Sequence, residues 1–289
     1  MSPAIDATVT LPAAPRGVGE VFKDVRVVEN AGGKGLNVAR WLALRGASVA
    51  CGGLLGAANA QPFEAELRRY GIRDRFRRVP GATRRNEMIV WPGGSFKVNE
   101  PAFPDLPQEA CRGIGDLAGF DELEKGDVVI LSGSLPQNFR PSFYAALVGA
   151  CRARGLEVVL DTSGTALQEG FAAGPDVVKP NAEECAALVG FVPRTPAEFA
   201  EATRLLRRKV RCPIVSDGAN GCWFDGVFVP APAVSVVDTT AAGDTLLAEW
   251  CLTRDPVRAV AAGSAACTMP GSRPPDAWIG DSAKVLKTV

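Results

Sequence analysis

Asp127-Val-Val-Ile-Leu131, a helix candidate over about 141–154 and then Glu157-Val-Val-Leu-Asp161 follow one another along the chain, and this strand–helix–strand unit decides the fold. Each strand run is apolar at consecutive rather than alternate positions, which suits strands covered on both faces of a parallel sheet. The pattern continues downstream in Asp176-Val-Val-Lys179 and Pro213-Ile-Val-Ser216, with helix candidates at about 182–189 and 195–209. Upstream, Gly35 to Gly46 carries Leu36, Ala39, Leu42 and Ala43 at helical spacing, and 47–51 reads as a short strand. The alternation predicts an α/β fold, a doubly wound, mostly parallel sheet flanked by helices. Residues 7–31 and 86–99 read as strands with no helix between them and predict a small β-sheet lid. No linker, repeat or low-complexity tract divides the chain, so residues 1–289 are expected to form a single domain.

Composition narrows the function. Lys plus Arg and Asp plus Glu are each 32, so the formal charge is zero, and nucleic acid is not an expected partner. No apolar run reaches 18 residues and no leader pattern opens the chain, so no membrane partner is expected. There is no histidine, which removes imidazole bases and ligands. The eight cysteines, Cys111 among them, show no CxxC spacing and read as buried thiols of a cytoplasmic protein.

Five segments carry polar chemistry. In Ala31-Gly-Gly-Lys-Gly-Leu-Asn-Val-Ala39, Gly32 and Gly33 let a ligand approach the backbone before a helix start, with Lys34 and Asn37 as polar contacts. A plain glycine turn is the alternative. In Ala241-Ala-Gly-Asp244, small residues open an apolar helix. Asp244 could accept a hydroxyl proton while the N–H groups of Ala241, Ala242 and Gly243 steady a migrating phosphoryl group. Here the alternative is a helix-capping acid. Thr83-Arg-Arg-Asn86 sets two guanidinium groups beside an amide, suited to a phosphate or to plain solvation. Lys179-Pro-Asn-Ala-Glu-Glu184 places Asn181 and Glu184 three apart, able to hold Mg²⁺ through water or to form a helix cap. Ser216-Asp-Gly-Ala-Asn-Gly221 is a turn that could lie against a nucleotide or simply join a hairpin.

Taken in order, these segments, with Pro3-Ala-Ile-Asp6 and Ser132-Gly-Ser-Leu-Pro136, resemble the PfkB, or ribokinase-like, carbohydrate kinases over nearly the whole chain. Thr83-Arg-Arg-Asn86 with Ser132-Gly-Ser-Leu-Pro136 is similar to the branch that phosphorylates sugar phosphates. The resemblance implies ATP and Mg²⁺ as cofactors, and a sugar phosphate as partner, fructose 1-phosphate foremost. A tagatose 6-phosphate, fructose 6-phosphate or ribose kinase, or a weak or inactive binder of sugar phosphate, stand as alternatives. It further implies that Asp6, Gly32, Gly33 and Asn37 meet sugar hydroxyls, and that Lys34 and Arg84 hold the existing phosphate with Asn86 assisting. Asp244 would be the catalytic base behind the anion hole of 241–243, with its carboxylate facing the sugar's reactive oxygen. Lys179, Asn181, Ser216, Gly218 and Gly221 would serve the nucleotide, Glu184 the metal, and the lid a homodimer.

Some positions depart from the family pattern. Only Met1 and Ser2 precede Pro3 where the family carries an apolar strand; either the start is misassigned or cut, or the sheet lacks that strand, and its loss would expose neighbouring edges. Ala241 replaces a glycine and would be strained at positive φ. Glu249 replaces a small residue, and Asp217 brings a carboxylate into the nucleotide turn.

Overall fold

The computed structural model describes residues 2–23, 25–103, 122–269 and 271–272; Cys111 lies outside them. Its main sheet has the order β12-β11-β10-β9-β8-β7. The parallel part comprises β7 (Val128–Ser132), β8 (Glu157–Asp161), β9 (Val177–Val178) and β10 (Cys212–Ser216). β11 (Gly221–Phe224) and β12 (Val227–Pro230) extend it antiparallel. Four helices, α3 (Phe143–Ala153), α4 (Gly164–Ala172), α5 (Ala182–Val189) and α6 (Pro196–Leu206), connect the parallel strands. The unbroken apolar runs follow from burial on both faces. Val158 and Leu160 pack with Tyr144, Leu147 and Leu167, while Val159 packs with Leu247 and Val260. That second face is covered by α7 (Ala242–Thr253) and α8 (Pro256–Ala266). Each such apolar side chain contributes roughly 1.5–3 kcal/mol when fully buried.

A second sheet, in the order β2-β1-β5-β6, uses β1 (Ala4–Thr10), β2 (Arg26–Gly32), β5 (Arg85–Trp91) and β6 (Gly94–Asn99). Its strands come from the stretches read as 7–31 and 86–99, but β1 begins at Ala4 and Leu11 to Arg16 carries no strand. Val27, Val28, Phe96 and Val98 of this sheet are exposed.

The expected strand at 47–51 lies later in the chain. β3 (Ala50–Gly56) pairs in parallel with β4 (Arg73–Val79), through the connecting helix α2 (Gln61–Arg69). Glycines at 52, 53 and 56 hide this strand from a propensity reading, yet Gly52 is what close pairing requires. A Cβ on Gly52 would lie 2.9 Å from the Arg75 carbonyl oxygen.

β3 and β4 form a sheet of their own, so β3 and β7 each present an edge without a partner strand among the described residues. The two sheets are bridged on both faces. On one, α1 (Lys34–Leu44) packs Ala39 on Cys51 and Leu55, and Leu42 on Ile130. On the other, Phe139 and Phe143 pack against Leu54, Val79 and Phe103.

Glu249 also finds its reason in packing. Buried on α7, its carboxylate accepts from Trp41 Nε1 at 2.8 Å and pairs with Arg45 at 3.2 Å and Arg258 at 3.5 Å. The acid therefore clasps α1, α7 and α8 together. Among the described residues no helix is long and apolar enough to cross a membrane.

Candidate active site

The carboxyl ends of β8 and β9 meet the amino ends of α1 and α7, the crevice where open α/β sheets bind ligands. Asp161 ends β8 and is fully buried. Its Oδ1 accepts from Lys34 Nζ at 2.9 Å and lies 3.2 Å from Lys179 Nζ. Lys179 in turn sits against the first turn of α7, where a Cβ on Gly243 would be 3.4 Å from its Nζ. Burial pushes the Asp161 carboxyl up, but Lys179 and Lys34 outweigh that and hold it below the usual carboxylate range. Burial works against the Lys34 charge, yet Asp161 and Asp244 raise it above the ordinary lysine value.

Asp244 lies in the first turn of α7 but does not cap it. No side chain caps this helix, and Asp244 Oδ2 accepts instead from Asn37 Nδ2 on α1, at 2.8 Å. The carboxylate is more enclosed than the sequence reading expects, with the residue only 6% exposed, because α1 packs directly over it. Oδ1 takes no partner among the described residues. Burial first, then the negative charge of Asp161, push the Asp244 carboxyl up to about 6, against the pull of Lys34, Asn37 and Lys179.

The turn before α7 presents fewer donors than three. The Ala242 N–H bonds to Thr239 O at 3.3 Å, while those of Ala241 and Gly243 take no partner among the described residues. Ala241 has φ 64° and ψ 4°, the left-handed conformation in which a side chain is strained.

Strand alternation sorts Thr83-Arg-Arg-Asn86. Arg84 is mostly buried and reaches Ser134 Oγ at 3.5 Å and the Glu100 carbonyl oxygen at 3.4 Å. Asn86 donates to Asp6 Oδ1 at 3.1 Å. Arg85 points the other way and pairs with Glu29 at 2.6 Å, so one guanidinium, not two, stands beside the amide. Burial raises the Asp6 carboxyl, opposed by Asn86, Arg40 and Arg84. The same burial lowers the Arg84 guanidinium, which Asp6 partly restores. Gly32 is needed here because a Cβ would fall 1.9 Å from Asp6 Oδ2. Gly33, at φ 104°, passes so close to Pro3 that a Cβ would be 2.9 Å from its Cα. The Ser132-Gly-Ser-Leu-Pro136 turn that carries Ser134 is pinned through the Gly133 carbonyl, which accepts from Tyr144 Oη at 2.7 Å and Thr162 Oγ1 at 2.9 Å.

The nucleotide-turn candidates adjoin this centre. Ser216 N donates to Pro180 O at 3.1 Å and bridges Asn181. Asn181 and Glu184 form a full capping box, with Glu184 N to Asn181 Oδ1 at 2.7 Å and Asn181 N to Glu184 Oε2 at 3.0 Å. Glu184 Oε1 keeps no partner among the described residues. The 216–221 turn joins β10 to β11 as a hairpin, with Gly218 at φ 53° and Gly221 at φ 141°. Asp217, expected to intrude on a nucleotide, has its Oδ2 held by Asn220 at 3.2 Å.

Sequence reading missed Asp161, Arg40 and Glu66. An acid closing a buried parallel strand was the available signal for Asp161. Arg40 and Glu66 look like ordinary helix-surface charges until α1 and α2 are seen to be packed.

Residues 2–273 match the family model described as pfkB family carbohydrate kinase. The chain is 38% identical over 259 residues to a 1-phosphofructokinase of Rhodobacter capsulatus, covering 86% of this chain and 80% of that protein. It is 34% identical to a 1-phosphofructokinase of Haemophilus influenzae, covering 83% and 81%. Among solved structures, phosphofructokinase-2 from Escherichia coli in complex with substrates and products superposes with a TM-score of 0.89 at 26% identity, covering 100% of this chain and 97% of that one.

Proposed function

The chain belongs to the pfkB family of carbohydrate kinases, and from that membership we propose that it transfers the γ-phosphoryl group of ATP to fructose 1-phosphate, giving fructose 1,6-bisphosphate and ADP. The ATP-dependent sugar kinase activity comes with the family; the choice of fructose 1-phosphate rests on the relatives. The observation that supports the chemistry is Asp244, held through Oδ2 by Asn37 with Oδ1 unengaged, at the start of α7 and beside Lys34 and Lys179.

In this reading the primary hydroxyl far from the sugar's phosphate hydrogen-bonds Asp244 Oδ1. Its oxygen attacks the γ-phosphorus, the bond from that phosphorus to the β–γ bridging oxygen breaks, and the hydroxyl proton passes to Asp244. The N–H groups of Ala241 and Gly243 and the α7 dipole stabilise the moving charge, with Ala242 contributing the backbone turn. Lys179 and Lys34, both paired with Asp161 beside the first turn of α7, would offset that charge; the shared tie to Asp161 supports a role for Lys34 at the transferred group as well as at the sugar's phosphate. Arg84 with Asn86 takes the phosphate the sugar already carries, and Asp6, Gly32 and Gly33 line the sugar's other side. Ser216, Gly218, Gly221 and Asn181 receive the nucleotide. Glu184 Oε1 is a donor of the kind Mg²⁺ uses, alongside nucleotide phosphates and water. Bound there, the ion would neutralise phosphate charge.

The β2-β1-β5-β6 sheet acts as a lid on one domain, and its exposed Val27, Val28, Phe96 and Val98 suit a homodimer contact. The free cysteines among the described residues support a cytoplasmic setting.

One assay tests the reading: ADP release with fructose 1-phosphate, fructose 6-phosphate, tagatose 6-phosphate and ribose. The expected result is a kcat/KM highest for fructose 1-phosphate, with Asp244→Ala lowering kcat by at least about 10²-fold. Near-native turnover by that variant would remove Asp244 as the base. The strained Ala241 favours a second reading, a binder of sugar phosphate with little turnover. Binding of fructose 1-phosphate without ADP release would establish it.

A further inference from the structure

Beneath the site, a buried ion pair reaches the base through one amide. Arg40 on α1 is fully buried, and its Nε lies 3.1 Å from Glu66 Oε2 on α2. Its Nη1 lies 3.4 Å from Asn37 Oδ1 and 3.2 Å from the Ser272 carbonyl oxygen, while Nη2 donates to the Ala31 carbonyl just before the glycine turn. Asn37 then donates through Nδ2 to Asp244 Oδ2 at 2.8 Å. An amide can turn end over end, and turned it would face Asp244 with an oxygen. A guanidinium has only donors, so Arg40 beside Oδ1 keeps the NH₂ toward the carboxylate.

We infer that Arg40, anchored by Glu66, is a positioning residue that sets the Asn37 amide and through it the orientation of the Asp244 carboxylate. This rests on the reading of Asp244 as base for its effect on turnover, but not for its effect on the carboxylate itself. The charges that also face Asp244 are Asp161 at the end of β8, Lys34 on α1 and Lys179 after β9. None of them is altered by changing Arg40. An Asn37 released from Arg40 stops donating, and the Asp244 carboxyl, now near 6, moves higher.

Two variants separate positioning from folding. Arg40→Met with Glu66→Met replaces the ion pair by apolar volume, an exchange that buried pairs often tolerate. Arg40→Lys keeps a cation against Glu66 but lacks the fork that spans Glu66, Asn37 and Ala31. The first measurement is a carboxyl-¹³C titration of Asp244, assigned with Asp244→Asn. The expected result is a higher midpoint in both variants. An unchanged midpoint in folded Arg40→Lys overturns the inference, whether or not the chain turns over sugar. The second is a cycle with Asn37→Ala. Arg40→Lys is expected to lower kcat by at least about tenfold in the native background and by less than about twofold once Asn37 is gone. Equal losses in both backgrounds would show that Arg40 acts by another route. If the wild type releases no ADP with any of the four sugars, the proposed function fails and the titration alone decides this inference.

Discussion

Two residues at the head of α7 are each held at a cost in stability. Ala241 stands at φ 64°, where a glycine is relaxed. Ala241→Gly is expected to stabilise the protein by about 1 kcal/mol, read as a higher urea midpoint with unchanged slope, and to raise kcat if the strain distorts the phosphoryl site. Asp244 is likewise held at a cost, here as a functional group. Its carboxyl is raised from 3.8 to about 6, so the fold favours the protonated acid. That contribution is fully present below the unfolded value and is lost as pH rises through about 6. Asp244→Asn should therefore raise the unfolding free energy at pH 7–8 by an amount on the order of 1–3 kcal/mol, read as a higher Tm, with the gain fading toward pH 4. Activity has the opposite dependence, and kcat/KM should fall as pH drops through about 6. At the other end of the sugar, Arg84→Gln should raise KM for fructose 1-phosphate far more than KM for ATP. These residues were legible because each belongs to a short segment with its own local chemistry. Asp161 was legible only as an acid ending a buried strand, a position that marks a candidate without showing the two lysines that converge on it.

At the scale of elements, the opening of α5 combines a structural and a functional reading. The capping box of Asn181 and Glu184 is present, and Glu184 Oε1 remains for a ligand. The two uses are separable. Asn181→Ala should cost about 1 kcal/mol in unfolding free energy through loss of the cap. Glu184→Gln can keep the reciprocal bond and should instead raise the Mg²⁺ concentration needed for half-maximal velocity; an unchanged Mg²⁺ dependence would leave Glu184 as a cap only. Glu249 had looked misplaced on α7 because a helical sequence does not show which helices it will touch. Between α1 and α8 it has three donors, and Glu249→Ala should destabilise by about 1–3 kcal/mol with the site's chemistry unchanged. β3 was read too early for a related reason. Its glycines lower strand propensity, but Gly52 lets β4 approach closely.

At the scale of the molecule, the main sheet and the β3–β4 pair are joined by packing rather than by strand hydrogen bonds among the described residues. The edges without a partner strand among the described residues are those of β3 and β7, and both are largely covered by packing. Native-state hydrogen exchange should show slow amides in β8, which is paired on both sides, and faster ones along β3, paired only with β4. Equal protection would mean that the unpaired edge carries no stability cost.

The amino-acid sequence alone determined the layered α/β class, the four parallel strand runs of the main sheet, the glycine turn before α1 and the small-residue turn before α7. These depend on periodicity and turn chemistry within a few neighbouring residues. Only the tertiary structure decided which charged and polar groups meet: Lys34 with Asp161 across 127 positions, Asn37 with Asp244 across 207, and Arg40 with Glu66 beneath them. The reason is that a buried charge is tolerated only beside its partner, and partners so far apart in the chain are chosen by how helices and strands pack, which no local pattern records.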